Sequence, residues 1–266
     1  MAKYGHTDGR LRSRPAAELS GEASPVGLRR LRLDACAHGN HLLYVPGSYR
    51  LGHLAPLVVL LHGAGANSRD IVSYLRGLAD ATVLILLAPT SREYTWDVIV
   101  GGYGPDVESI DRALEYTFSR YAVDPERIAV GGFSDGASYA LSLGITNGDL
   151  FGYILAFSPG FMAPAGQVGS PRIFISHGTH DEVLPIDYCS RRIVPQLERA
   201  GYEVRSLPGV RGRAHGPSRD QVRGRRLVHC GAGLRLVCLS ESTRALPTRG
   251  LRQGSGLCPQ LLCRSS

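Results

Sequence analysis

IAVGGFSDGASYALSLG, residues 128–144, passes from a continuous apolar run into a helical pattern across one glycine-flanked serine. Gly132 and Gly136 stand two residues either side of Ser134, giving G-x-S-x-G between a strand and a helix. In that context a sharp turn lifts the serine hydroxyl above the sheet, and the glycines let the backbone turn and pack closely. A tight glycine-rich turn would use the same residues, but the strand–turn–helix setting favours Ser134 as a nucleophile.

Working outward, further apolar runs occur at LVVLL (57–61), VLILL (83–87), YILAFS (153–158) and RIFISHG (172–178). Continuous apolar strands are expected where a parallel sheet is covered on both faces. Helical patterns fall between them, at 68–78, 106–121, 137–143 and 187–200, with Asp106 and Asp187 expected to cap two of them. Short apolar stretches at 31–33 and 41–45 suggest an antiparallel pair opening the sheet. Strands alternating with helices predict an α/β fold with a mostly parallel, doubly wound sheet. Ligands bind such sheets at the carboxyl ends of the strands.

Two further segments fall at strand ends. His62-Gly63-Ala64-Gly65 closes the run LVVLL. A glycine-rich turn there can aim the Ala64 backbone N–H at the reaction centre, to act with that of Asp135 on a developing oxyanion. His62 precedes the nucleophile, against the chain order serine, acid, histidine, and is expected to be structural. The loop SHGTHDEVLP (176–185) follows RIFI. It supplies Asp181 as the orienting acid, with Glu182 as a substitute.

HGAGAN, TWDVI, GGFSDGASYALSLG, AFSPGF and SHGTHDEVLP together resemble the phospholipase/carboxylesterase group of serine esterases, close to polyhydroxybutyrate-depolymerase and feruloyl-esterase-like enzymes. The resemblance covers roughly residues 40–205 and implies the α/β-hydrolase fold. It also implies hydrolysis of carboxylic esters through an acyl-enzyme, with no metal or cofactor. Ser134 and Asp181 match the nucleophile and acid of that group, and Ala64 and Asp135 its oxyanion positions. Trp96, beside Asp97 in the loop after VLILL, is expected either to bind substrate in the acyl pocket or to pack as a core aromatic.

Beyond residue 205 the chain changes character. Eleven arginines face only Asp220 and Glu241 in residues 206–266, a local charge of +9. The whole chain carries +7, so residues 1–205 are near −2 and the pI of about 9.3 describes the tail. The tail lacks interleaved aromatics and any nucleic-acid-binding module, so no nucleic-acid partner is expected. The resembled enzymes end with a strand, a loop like GGH-T-V-P-P and an amphipathic helix, whereas this chain reads SLPGVRGRAHGPSRDQVRGRRLV. Back-translated one nucleotide out of frame from the Leu207 codon, the same segment permits Tyr-Arg-Glu-Phe-Glu-Gly-Gly-His-Thr-Val-Pro-Pro-Glu-Ile. A frameshifted reading of the gene accounts for this. His215, 34 residues after Asp181, stands within one residue of the shifted histidine and is the expected base; His229 is a weaker choice.

The expected organisation is a flexible leader at 1–25, a catalytic body at 26–205 and an atypical Arg/Gly-rich tail at 206–266. No apolar run is long enough for a membrane span. Residues 1–25 contain no apolar signal core, which points to the cytoplasm. Cys36, Cys189, Cys230, Cys238, Cys258 and Cys263 show no CxxC or zinc spacing and read as free thiols. The expected function is a serine hydrolase acting on small or medium acyl esters. The alternatives are a product impaired by its C-terminus, or a thioesterase or peptidase with the same triad.

Overall fold

The computed structural model describes residues 7–16, 25–33 and 41–208. Eight strands form one sheet in the order β1-β2-β4-β3-β5-β6-β7-β8. β1 (Gly27–Leu31) and β2 (His41–Val45) are the antiparallel opening pair, and β2 also runs antiparallel to β4 (Ile85–Ala88). The others are parallel: β3 (Ala55–Leu61), β5 (Val123–Phe133), β6 (Tyr153–Phe157), β7 (Arg172–His177) and β8 (Val204–Pro208). β3 leads outward to β4 on one side, while β5 lies on its other side. The switch point, where a doubly wound sheet opens a crevice, is therefore between β3 and β5.

Alternate residues of β3 serve opposite faces, which is why the whole strand is apolar. Leu57, Val59 and Leu61 join one core with Ile110, Ala113 and Leu114 of α3 (Pro105–Phe118) and Leu141 of α4 (Asp135–Thr146). Val58 and Leu60 join the other with Val72, Leu75 and Ala79 of α1 (Ser68–Thr82). A short α2 (Asp97–Val100) and a final α5 (Ser190–Arg199) complete the helices of the described residues. No helix among these residues is long and apolar enough to cross a membrane.

Asn67 caps α1 by accepting from the N–H groups of Arg69 and Asp70 at 3.0 and 3.3 Å. Four expectations change. Asp106 lies inside the first turn of α3, where its carboxylate turns back to the N–H groups of Arg92 and Asp97. Asp187 precedes an α5 that starts only at Ser190, and pairs with Arg191. The body does not stop at residue 205, because β8 pairs in parallel with β7 as far as Pro208.

The fourth correction concerns the leader. Residues 7–16 are a strap fixed across the middle of α3 and the C-terminal end of α4, not a flexible segment. Leu11 is 1% exposed, and its N–H donates to Asn147 Oδ1 at 2.8 Å. Asn147 Nδ2 returns a bond to the Gly9 carbonyl, also at 2.8 Å. The Arg12 and Ser13 N–H groups both donate to Asp111 Oδ1 at 2.9 Å. Arg10 grips the Asp149 carboxylate at both oxygens, and Arg14 adds a third bond. Charge and backbone pairing fasten a stretch whose composition alone reads as loop.

Candidate active site

Ser134 occupies the turn between β5 and α4 at φ 55° and ψ −120°. A non-glycine residue at positive φ is strained, and such strain persists only where the surroundings fix it. Here the fixing is visible. The Ser134 N–H donates to the Phe157 carbonyl at 2.9 Å, and its own carbonyl accepts from Ala137 and Ser138 in the first turn of α4. A side chain at Gly136 would meet the Leu61 carbonyl oxygen at 2.2 Å, and one at Gly132 would meet that of Gly136 at 2.2 Å. Only glycines let β3, the turn and α4 approach so closely. The Ser134 hydroxyl has no hydrogen-bond partner among the described residues.

The loop after β3 lies against this serine. A Cβ at Gly63 would stand 3.4 Å from that of Ser134. In the loop, the Gly65 N–H is taken by the Tyr94 carbonyl at 2.9 Å and that of Ala66 by Gly63 at 3.1 Å. The Ala64 N–H between them donates to nothing among the described residues. Asp135 is the first residue of α4, where helical geometry leaves the N–H without an intrahelical acceptor. Two unspent donors thus flank Ser134, on the loop and at the helix start.

His62 is buried and structural, as the sequence suggests. A carbonyl can only accept, so Nδ1–H donates to Gly63 O at 2.8 Å, leaving Nε2 to accept from the Ser91 N–H at 3.1 Å. Burial lowers its pKa from the ordinary histidine value. Trp96 is corrected from a substrate-lining residue to a packed one. It is 0% exposed, stacks on Tyr139 at 5.1 Å and donates its indole N–H to the His62 carbonyl at 2.8 Å. A ring without accessible surface cannot line a pocket; this one supports the loop that carries Ala64.

Asp181 stands in the loop after β7, half-buried, while Glu182 is exposed. Its Oδ1 accepts the N–H groups of Val183 and Leu184 at 3.1 and 2.9 Å. Its Oδ2 is 3.6 Å from Nε2 of buried His177. That Nε2–H donates to the Leu184 carbonyl at 2.7 Å, while Nδ1 accepts from the Ser190 hydroxyl at 2.6 Å. His177 therefore ties the acid loop through Nε2 and the start of α5 through Nδ1. β5 and β7 lie two strand spacings apart, about 10 Å, leaving room for an imidazole between a serine and an acid. His215 and His229 lie outside the described residues, as does most of the segment that permits the shifted reading.

One support leaves a signal that went unread. Ser138, Ser142 and Thr146 stand four apart on α4, and each hydroxyl both donates and accepts. Each donates to the carbonyl one turn back: Ser138 to Ser134, Ser142 to Ser138, and Thr146 to Ser142, at 3.3, 2.7 and 2.8 Å. They accept from the N–H groups of Gly160, Ala163 and Ala165 at 2.9, 2.9 and 3.1 Å. This ladder pins the loop after β6 to the helix. Hydroxyls at helical spacing in an otherwise apolar helix were the available clue.

Residues 106–215 match the phospholipase/carboxylesterase family, and the strand order and elbow described above are those of the α/β-hydrolase fold. The chain has the α/β-hydrolase fold. An acetylxylan esterase of Coprinopsis cinerea is 26% identical to this chain, over 64% of the chain and 56% of that protein. The chain thus spans little more than half the length of that curated relative. Among solved structures, esterase PE8 superposes with a TM-score of 0.58 at 24% identity, covering 80% of this chain and all of that one. The fluorophosphonate-binding serine hydrolase F of Staphylococcus aureus gives a TM-score of 0.63 at 15% identity, over 81% of this chain and 99% of its own. No group of His, Cys, Asp or Glu among the described residues could hold a metal ion.

Proposed function

We propose that this α/β-hydrolase cleaves carboxylic esters through an acyl-enzyme formed on Ser134. The observation that carries the reading is the strained Ser134 turn at the carboxyl end of β5, with Gly63 against its side chain. The hydroxyl oxygen attacks the ester carbonyl as its proton passes to a histidine, for which His215 is the assigned base. Asp181 orients that imidazole through Oδ2, the oxygen its own loop leaves available. The oxyanion is held by the N–H groups of Ala64 and Asp135; such donors contribute on the order of 3 kcal/mol each to the transition state. The alcohol departs with the proton, and water, deprotonated by the same base, releases the acid.

The substrate is a small or medium acyl ester. The name of the acetylxylan esterase relative suggests short acyl groups on a carbohydrate as the first class to try. The test is hydrolysis of a short-chain chromogenic ester, with fluorophosphonate labelling, by the wild-type chain and by Ser134→Ala. Loss of turnover and labelling in the variant is expected. Equal rates for the two would dismiss Ser134 as the nucleophile.

A further inference from the structure

The two donors assigned to the oxyanion come from distant parts of the chain, yet one segment between β4 and α2 bears on both. On the Ala64 side, Ser91 N–H holds His62 Nε2, the Tyr94 carbonyl receives Gly65 N–H, and the Trp96 indole donates to the His62 carbonyl. The loop is thus braced before and after Ala64. On the other side, Thr95 Oγ1 donates to Asp135 Oδ2 at 2.7 Å. Four consecutive or near-consecutive residues therefore touch both halves of the site from behind.

The segment itself is locked. Asp106 accepts from the N–H groups of Arg92 and Asp97 at 2.9 and 2.8 Å. Asp97 Oδ2 accepts in turn from Gly104 and Asp106 N–H, both at 2.9 Å. Each carboxylate thus bonds the other's backbone, closing residues 92–106 into a bracket at the start of α3. A bracket closed this way transmits little slack to what it holds.

From this arrangement we propose that Thr95 is a positioning residue for the oxyanion hole, acting through Asp135. The Asp135 N–H must point at the oxyanion while its own carboxylate, carrying the same sign of charge, must not. The Thr95 hydroxyl anchors that carboxylate on the far side, fixing the first residue of α4 and keeping a competing negative charge turned away. The effect belongs to the transition state, because negative charge develops on the carbonyl oxygen on the way to the tetrahedral intermediate and is absent in the bound ester. Removing the hydroxyl lowers kcat and leaves KM nearly unmoved. The inference rests on the proposed ester hydrolysis.

The experiment compares wild type, Thr95→Val, Thr95→Ala, Thr95→Ser and Ser134→Ala on a short-chain chromogenic ester, with inhibition by a trifluoromethyl ketone and thermal unfolding of each variant. Losing an oxyanion donor outright costs 10²–10³ in rate, so misplacing one gives about a 10-fold lower kcat in Thr95→Val. The ketone, whose adduct carries the oxyanion, loses affinity by a similar factor, while Thr95→Ser stays near wild type. Unchanged kcat in a folded Thr95→Val, equal losses in Val and Ser variants, or a loss confined to KM would overturn it. If Thr95→Val is too unstable to assay, a Thr95→Ser variant as impaired as Thr95→Ala refutes the hydroxyl's role. A wild type that turns over no better than Ser134→Ala is failure of the hydrolase reading; a normal Thr95→Val beside a dead Ser134→Ala is failure of this inference alone.

Discussion

Leu11→Ala is the most direct probe of the strap. The side chain is 1% exposed and belongs to the main core, among residues contributed by the sheet and by α3 and α4. Truncating a buried leucine costs about 2–5 kcal/mol, more where the cavity cannot collapse. Two structural facts set the size here. The strap is held on both sides of Leu11 by bonds to Asn147 and Asp111, so the backbone is not free to follow the missing side chain. Against that, the loss has a ceiling, because beyond some point the strap detaches instead of straining. About 3 kcal/mol is the resulting expectation, a fall in Tm of about 6–12 °C for a domain of this size. Thermal unfolding by circular dichroism reads this, and tryptic cleavage after Arg10 and Arg12 should accelerate with it. A Tm within about 1 °C of wild type together with unchanged cleavage would refute the reasoning, since a segment that is truly docked cannot lose its anchor silently.

Two further outcomes follow from buried polar groups. The Tyr139 hydroxyl is sealed from solvent and makes no well-aligned hydrogen bond among the described residues, though it faces the Asp97 carboxylate; burial, then the Asp97 and Asp106 charges, push its pKa well up. Tyr139→Phe keeps the stack on Trp96 and should leave stability unchanged or raise it by about 1 kcal/mol; a loss above that in urea unfolding would mean the hydroxyl is bonded. Asp106 has its pKa pushed up to about 6 by burial and by the Asp97 charge. A raised carboxyl favours the protonated folded state, so its contribution is complete below the unfolded value of 3.8 and lost as pH rises through about 6. The stability of wild type relative to Asp106→Asn should therefore fall across that window, by at most about 1.4 kcal/mol per pH unit; a pH-independent difference would contradict the assignment.

The sheet was legible because its strands are buried on both faces, leaving runs such as LVVLL with no polar interruption. The elbow was legible because close approach of β3 and α4 admits only glycine at 132 and 136. What stayed hidden depends on partners far along the chain. Asp106 has the residue type and place of a cap, but the N–H groups of residues 92 and 97 draw its carboxylate elsewhere. The strap is polar and arginine-rich, and only the positions of Asp111, Asn147 and Asp149 turn those features into attachment. Trp96 could be read either way until the indole N–H was seen to face the His62 carbonyl. Thr95 left no trace in sequence, because one hydroxyl in a loop has no period to reveal it.

The hydroxyl ladder on α4 makes the loop after β6 an extension of the helix beneath it. Loops beside active sites are usually the easiest parts to exchange, since little holds them. Here the N–H groups of residues 160, 163 and 165 must meet acceptors repeating every four helical residues, about 6 Å apart. A transplanted loop of the right length but the wrong rhythm would strand those hydroxyls inside the protein. Remodelling this loop thus means rewriting helix and loop as one unit, with the hydroxyl spacing as its template.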